Sequence, residues 1–568
     1  MLFFLISSYL AILFFSPIFT AKEVIIPYGL HPFDICTENP ELWYYIKITY
    51  IISFFISNFV ISHFIYVHFF QKFISILKNL KHFSFFSFFE DKKKSSSRKD
   101  SSIKEPRLLI GWDEVSSSKQ YLSCSGLYQN ILITGTIGSG KTSSAMYPFT
   151  KQFMEYNAHH PESKMGMLIL DVKGNYYKQV LSYAKQFGLE KDVIILGLHS
   201  SVFYNPLHKP NLKPQILANR LKLILTLFSE NNSESYWLDK AEQILSECIK
   251  LCRLYNNGYV TFTELHKLIT IPNYYREKIS ILRNLFLSSQ LNYHQVYELN
   301  ACLDFFQKEF EALDSRTKNI LISEMTRITN VFVSDYDIMS TFCAPLEKLT
   351  FTGFDRVIQE GKIVVFNMNI SEYSSLSKII ATYLKLDFQT EIMSNLANNR
   401  TKPSVFICDE YDKYANKTDG EFFSLSREAK CINIVSMQSY SSLKATLKED
   451  VFVKVIIQNL INKIWFRTDD SFTIEEAQKQ LGKEEKEKIS RSISESAKET
   501  TYSYITNTLN SENSNISETY STYTQNDYVF DTKYFTQQLE TFTALTFLSD
   551  GNNIFSPKKL KMFPYFKS

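Results

Sequence analysis

A glycine-rich segment carries the clearest chemical signal in the sequence. Asn130–Thr134 is a short apolar run typical of a buried parallel strand, and it leads directly into GTIGSGKT at residues 135–142. Glycines let the backbone turn tightly, so that its N–H groups point at phosphate oxygens. In the GxxxxGK(S/T) pattern, Lys141 reaches the β- and γ-phosphates and the Thr142 hydroxyl binds Mg²⁺. The pattern predicts a P-loop for ATP and Mg²⁺, built from Gly135, Thr136, Gly138, Ser139, Gly140, Lys141, Thr142 and Ser143.

Two adjacent carboxylates follow a second apolar strand pattern far downstream. Residues 404–408 are apolar and end in Asp409 and Glu410. In a P-loop enzyme the first carboxylate holds Mg²⁺ and the second polarises the attacking water. The next strand pattern ends in Gln438, which could sense the γ-phosphate. Arg427 precedes that strand and is either an arginine finger across a subunit boundary or a surface charge of a helix. The predicted catalytic residues are Lys141, Glu410, Arg427 and Gln438, and the predicted metal ligands are Thr142 and Asp409.

Further strand patterns indicate which elements position these residues. Met165–Gly174 ends in Asp171 and Lys173, which either face a ligand crevice or form a charged turn. Residues 354–369 and 462–469 add strands on either side of the acidic pair. Short apolar strands alternating with helical patterns predict an α/β fold.

Two regions depart from this alternation. Residues 208–350 show helical spacing of apolar residues, which predicts an all-α insertion within the nucleotide-binding domain. Residues 487–527 are rich in Ser, Thr, Asn and Glu and predict a segment that is flexible or is ordered by a partner. Apolar character then returns, and we expect the ending of the chain to pack back onto the core.

Composition excludes some classes of protein and hides a strong asymmetry. The chain has 568 residues, is 45% hydrophobic and carries a net charge of +3, which excludes a disordered chain or a bulk polycation. Residues 2–21 and 48–71 are uncharged and long enough to cross a bilayer. The acidic segment 22–46 and the basic segment 72–99 predict that the hairpin leaves the bulk of the chain cytoplasmic. A cleaved signal peptide is the alternative for the first of these segments.

These patterns divide the chain into six parts. The predicted order is a transmembrane hairpin, a basic linker, two halves of a nucleotide-binding domain separated by the insertion, and a tail. Their predicted ranges are 1–72, 73–104, 105–207, 208–350 (the insertion), 351–485 and 486–568.

The order of these motifs resembles one family. The anchor precedes GTIGSGKTSS, LDVKGNYY and FYNPL, the insertion contains WLDKAEQIL, and CDEYDKYA, MQSYSSL and NLINKIWFRTD follow. This arrangement is similar to the TraG/TraD-type coupling proteins of conjugation and type IV secretion. The resemblance implies a RecA-like P-loop ATPase that forms a membrane-anchored hexamer in the cell membrane. It also implies that ATP hydrolysis helps deliver a relaxase–single-strand DNA complex to a type IV secretion channel.

Two other functions are compatible with the same motifs. An FtsK/HerA-like DNA pump would use a similar motor for another purpose, although no C-terminal winged-helix pattern is visible. A membrane substrate receptor would use ATP only as a switch for assembly. Turnover in the presence of DNA discriminates the receptor from the motors.

Overall fold

The computed structural model describes residues 105–566 except 228–234, 288–291, 497–500, 504–507 and 511–514, together with six helical positions between 44 and 56. The chain divides into two compact units, Met1–Ser102 and Ile103–Ser568. The membrane helix predicted at 2–21, the linker at 73–104 and all but four positions of the helix at 48–71 lie outside the described residues. Within the described part of the chain, no helix combines the length and apolar character needed to span a bilayer.

The second unit is built on one large sheet. Its first nine strands are β1 Leu108–Asp113, β2 Ser118–Leu122, β3 Ile131–Thr134, β4 Gly166–Leu170, β5 Val193–Leu196, β6 Ile363–Phe366, β7 Ser404–Cys408, β8 Cys431–Met437 and β9 Asn462–Phe466. Strands β10 to β13 form hairpins outside this sheet and are described below. The last two strands of the sheet are β14 Thr543–Phe547 and β15 Lys558–Lys561. Among the described residues, their spatial order is β2-β1-β15-β14-β9-β3-β8-β7-β4-β6-β5. The strands from β9 to β5 are parallel, and those from β2 to β14 are antiparallel. The predicted α/β class is confirmed.

Helices cover both faces of the sheet and build the insertion. They are α1 Cys124–Leu127, α2 Tyr147–Glu155, α3 Tyr176–Phe187, α4 Pro214–Thr226, α5 Ser235–Tyr255, α6 Phe262–Thr270, α7 Tyr274–Leu287, α8 Tyr293–Asp304, α9 Ser315–Val333, α10 Tyr336–Phe342, α11 Phe354–Glu360, α12 Ile370–Ala397, α13 Asp419–Leu425, α14 Tyr440–Leu447, α15 Asp450–Asn459 and α16 Ser471–Leu481. Short π-helices lie at Thr142–Met146, Phe305–Phe310 and Tyr534–Gln538, and 3₁₀ turns at Glu190–Asp192, Leu346–Lys348 and Tyr411–Lys413. The helices α4 to α10 lie within the range 208–350 that the sequence predicts to be helical.

Alternating side chains of the strands feed two apolar cores. Leu132 of β3 belongs to a core that also holds Leu221 of α4, so the insertion and one sheet face share one buried cluster. Ile131 and Ile133 point the other way, into a core with Phe149 of α2. A strand buried on both faces reads as a continuous apolar run, which is why the sequence identified β3 so readily.

The Ser/Thr-rich segment, predicted to be flexible or ordered by a partner, forms paired strands within this chain. It forms the antiparallel strands β10 Lys483–Ser496 and β13 Asn515–Tyr528, with β11 Thr501–Ser503 and β12 Thr508–Asn510 paired beyond them. We call β10 and β13 the arm. A strand with one buried face shows alternating apolar and polar residues. Both faces of the arm are exposed, so polar side chains stand at nearly every position and that alternation is missing.

Candidate nucleotide-binding site

The predicted site residues meet where the parallel strands end. The loop after β3, the turn after β7 and the residue after β8 lie at the same edge of the sheet, because β3, β8 and β7 are adjacent and parallel. They line a cleft of about 370 Å³. Its lining includes Thr136, Gly138, Gly140, Lys141, Thr142, Ser143, Lys173, Asp409, Glu410 and Gln438. A crevice at the carboxyl edge of an open α/β sheet is the usual place for a ligand.

The neighbouring strands hold the P-loop in shape. Gly135 has a φ of +155°, and a Cβ there would lie 2.6 Å from the Cβ of Phe466 on β9, so a larger residue does not fit. The N–H of Gly135 donates to the carbonyl of Gln438 (3.3 Å), and the N–H of Thr136 donates to the carbonyl of Arg467 (2.8 Å). The loop is therefore fixed to the ends of β8 and β9 on its two sides.

Lys141 lies in the floor of the cleft and is only 9% exposed. Its Nζ donates to the carbonyl oxygens of Gly135 and Thr136. Burial lowers the pKa of Lys141, and the carboxylates of Asp409 and Glu410 oppose that shift. A buried ammonium with donors to spare is suited to bind phosphate oxygens.

Thr142 and Asp409 fit the predicted metal ligands. The Thr142 Oγ1 donates to Asp409 Oδ2 at 2.8 Å, and Ser436 of β8 donates to the other carboxylate oxygen. The carboxylate is 2% exposed and thus pre-oriented. A hydroxyl and a carboxylate in contact are hard oxygen donors of the kind that Mg²⁺ prefers. These residues therefore fit a Mg²⁺ ion carried by a nucleotide.

Glu410 is held in an unusual backbone conformation. Its φ of +52° lies in the left-handed region, which a glutamate adopts only when its surroundings impose it. Its N–H donates to Asp409 Oδ1 (3.2 Å), and Lys173 Nζ lies 3.6 Å from its Oε1. Burial raises the pKa of Glu410, Lys173 opposes the shift and Asp409 adds to it. A carboxylate with raised basicity at the cleft wall is suited to accept a proton.

The carboxylate of Asp171 binds backbone N–H groups, whereas that of Asp409 contacts the Thr142 hydroxyl. Asp171 is 2% exposed, and its carboxylate accepts the backbone N–H groups of Lys173 (3.2 Å), Asn175 (3.1 Å) and Tyr176 (3.2 Å). Burial, and secondarily Asp409, raises its pKa. These bonds fix the turn between β4 and α3, which favours the charged-turn interpretation for Asp171. Only Lys173 of this pair lines the cleft.

The structure does not bring Arg427 to this cleft. It is exposed in the turn before β8, which is the amino edge of the sheet, whereas the P-loop lies at the carboxyl edge. Arg427 therefore lies away from the cleft of its own chain. The prediction of a finger across a subunit boundary stays a prediction.

Two aromatic residues of the tail line the cleft and were not predicted. Phe542 and Tyr565 contribute to its walls together with Tyr147 of α2. The sequence indicates only that the ending packs on the core, since no local motif links residues 542 and 565 to a loop some four hundred positions earlier. For Tyr565 alone, the density of aromatic residues in KMFPYF at 561–566 is a signal.

The parallel sheet, the P-loop and the acidic pair define the class of P-loop nucleotide-binding folds. Residues 403–527 match the family model described as the TraM recognition site of TraD and TraG. No curated protein matches the sequence.

Solved structures of the coupling protein TrwB share this fold. The unbound bacterial conjugative coupling protein TrwBdeltaN70 has a TM-score of 0.52 and 14% identity, over 81% of this chain and 90% of that one. TrwB with the GTP analogue GDPNP gives 0.53 and 14%, over 82% and 96%. TrwB with ADP and Mg²⁺ gives 0.53 and 12%, over 83% and 97%. At this identity the likeness establishes the fold. Together with the family match, it confirms the resemblance to TraG/TraD-type coupling proteins.

Proposed function

We propose that the protein is a membrane-anchored ATPase that couples a relaxase–single-strand DNA substrate to a type IV secretion channel. The observation that carries the proposal is the cluster of Lys141, Thr142, Asp409 and Glu410 in one cleft of a coupling-protein fold. Each of these side chains has the chemistry that one part of ATP hydrolysis requires.

Each of these four residues has a separate role in hydrolysis. Lys141 and the P-loop N–H groups bind the phosphates. Thr142 and Asp409 would hold Mg²⁺, which supplies positive charge against the phosphate oxygens. Glu410 accepts a proton from the attacking water, and its raised pKa makes it a stronger base than a free glutamate. Gln438, at the end of β8, would respond to the terminal phosphate.

The family match and the arm support a protein partner at the DNA-processing complex. The matched range 403–527 includes most of the arm. Ile489, Ile493 and Tyr520 lie on one face of the arm, because Arg491, between the two isoleucines, pairs with Tyr520. They are 72%, 56% and 61% exposed. On the same face these exposed side chains flank the Arg491–Glu518 ion pair, and a surface that combines aromatic, aliphatic and arginine side chains suits a partner protein of the TraM kind.

The anchor and the hexamer complete the proposal. The uncharged segments 2–21 and 48–71 and their charged flanks support a cell-membrane location with a cytoplasmic motor. The resemblance supports six subunits. The mass of the detergent-solubilised protein with a non-hydrolysable ATP analogue tests the assembly, and a monomeric mass would contradict it.

ATP turnover of the purified full-length chain, with and without single-strand DNA, tests the catalytic assignment. Lys141→Ala removes nucleotide binding and turnover. Glu410→Gln retains binding and lowers turnover by about 10²–10⁴-fold, the usual contribution of a general base. Glu428→Gln and Lys454→Ala are matched controls, because both residues are exposed and outside the cleft. Turnover that persists in both site variants refutes the assignment.

Two results would favour the alternatives. A wild-type chain that binds ATP but never turns over with DNA is a receptor that uses ATP as a switch. Motor activity on duplex DNA without a relaxase partner indicates an FtsK/HerA-like pump.

For the coupling role we expect weak, sequence-independent binding of single strands that falls steeply with salt.

A further inference from the structure

The tail of the chain is hydrogen-bonded to the P-loop segment at two points, one in the middle of the loop and one just after it. The N–H of Phe542 donates to the carbonyl of Ser139 (3.1 Å), and the N–H of Tyr565 donates to the carbonyl of Ser143 (2.9 Å). The N–H of Met562 in turn donates to the carbonyl of Phe542 (2.7 Å), which ties the two tail segments together. These backbone bonds set two aromatic side chains beside the phosphate-binding loop.

Phe542 is under conformational strain at this position. Its φ is +64°, a region that bulky residues rarely adopt. A Cβ on Gly140 would lie 2.6 Å from Cδ1 of its ring, so the ring contacts the glycine face of the loop. Strain of this kind persists where the surrounding structure imposes it, and it is concentrated at ligand-binding sites.

Tyr565 forms a second aromatic wall. Its ring lies 5.2 Å from the ring of Tyr147 at an interplanar angle of 88°, so Tyr147 fixes its orientation from the side. Phe542 and Tyr565 both line the cleft that contains Lys141. The cleft therefore combines a polar floor, which suits phosphates, with aromatic walls that phosphates do not need.

We propose that Phe542 and Tyr565 bind the purine nucleoside of the nucleotide by contact with its ring face. The inference rests on the proposed nucleotide site and deepens it. The phosphates accept hydrogen bonds from the N–H groups of the loop. The base then contacts the aromatic side chains beside Gly140 and Ser143. Aromatic stacking does not read hydrogen-bond patterns, so adenine and guanine bind with similar affinity.

Calorimetric titration of the full-length chain tests the proposal with three probes: Mg·ATP, Mg·GTP and Mg·inorganic triphosphate. Phe542→Asn removes the ring and keeps a residue that tolerates a left-handed backbone. We expect about 10-fold weaker binding of ATP and GTP, as the loss of one stacked ring predicts, and unchanged triphosphate binding within about twofold. Tyr565→Ala should likewise weaken the binding of ATP and GTP relative to that of triphosphate. Phe542→Tyr keeps an aromatic ring and should bind ATP and GTP as the wild type does.

Phe286→Ala is the matched control, because Phe286 lies on α7 of the insertion and is 46% exposed. Equal losses of ATP and triphosphate in Phe542→Asn would overturn the proposal, since the ring would then only support the loop. Unchanged ATP affinity in Phe542→Asn and Tyr565→Ala would overturn it as well. A wild-type chain that binds neither ATP nor triphosphate refutes the nucleotide site itself, and the proposal with it.

Discussion

Lys463 offers a quantitative test of the packing around the P-loop strand. It lies on β9, next to β3, and is 2% exposed. Its Nζ donates to the carbonyl oxygens of Ile457, in the last turn of α15, and of Leu460, just after it; the distance to Ile457 is 2.7 Å. Burial lowers its pKa from 10.5 to about 7. The replacement Lys463→Met keeps the length of the side chain and removes the titrating amine.

The expected effect follows from proton linkage. Below pH 7 the amine is protonated in both the folded and the unfolded chain, so this group adds no pH dependence. Between pH 7 and about 10 the unfolded chain binds a proton that the folded chain does not. The free energy of unfolding of the wild type then rises by up to about 1.4 kcal/mol per pH unit relative to Lys463→Met, or about 4 kcal/mol over three units.

Urea unfolding of both chains at pH 6 to 10 measures this difference. Tryptophan fluorescence, to which the fully buried Trp465 two residues away contributes, reports the transition. Every other titrating group is common to the two chains, so its effect cancels to first order. Lys454→Met, at an exposed position of α15, is the control and should give a constant difference. A difference between wild type and Lys463→Met that stays constant from pH 7 to 10 refutes the reasoning.

Three further predictions concern the site and its support. Lys385→Met should lower the free energy of unfolding by about 3–5 kcal/mol, because the Asp419 carboxylate would lose its ion-pair partner at a site where both side chains are 0% exposed. Adding Asp419→Asn should recover part of that loss in urea unfolding, and no recovery would contradict the pairing. Since burial raises the pKa of Glu410, kcat/KM should fall as pH drops through a value above the ordinary 4.5, and an acidic limb at or below 4.5 would count against a buried base. Arg427→Ala should leave nucleotide affinity within about twofold in calorimetry, because the residue lies at the opposite sheet edge, and a tenfold loss would contradict that placement.

Local sequence predicted the site more completely than it predicted the sheet. The P-loop and Asp409 could be identified because a strand and the turn after it are adjacent in sequence. The antiparallel strands β1, β2, β14 and β15 escaped prediction, since their pairing joins residues near 110 to residues near 560. Phe542 was missed for the same reason, because its role depends on a contact with Gly140.

The arm and Arg427 illustrate two other limits. Composition predicted a segment that is flexible or ordered by a partner, and these residues form a long hairpin. Cross-strand pairing can order a polar ribbon that has no buried face. The prediction for Arg427 depends on its charge and its position before a strand. Only the direction of β8 determines that a residue before the strand lies at the edge opposite the nucleotide.

The position of β3 also has a consequence for how the protein is made. The strand lies between β8 and β9, which a ribosome synthesises about 300 residues later. At about 5–20 residues per second, both edges of this apolar strand stay unpaired for about 15–60 s. Exposed strand edges favour aggregation. Soluble yield should therefore depend on chaperones that bind the nascent chain during that interval.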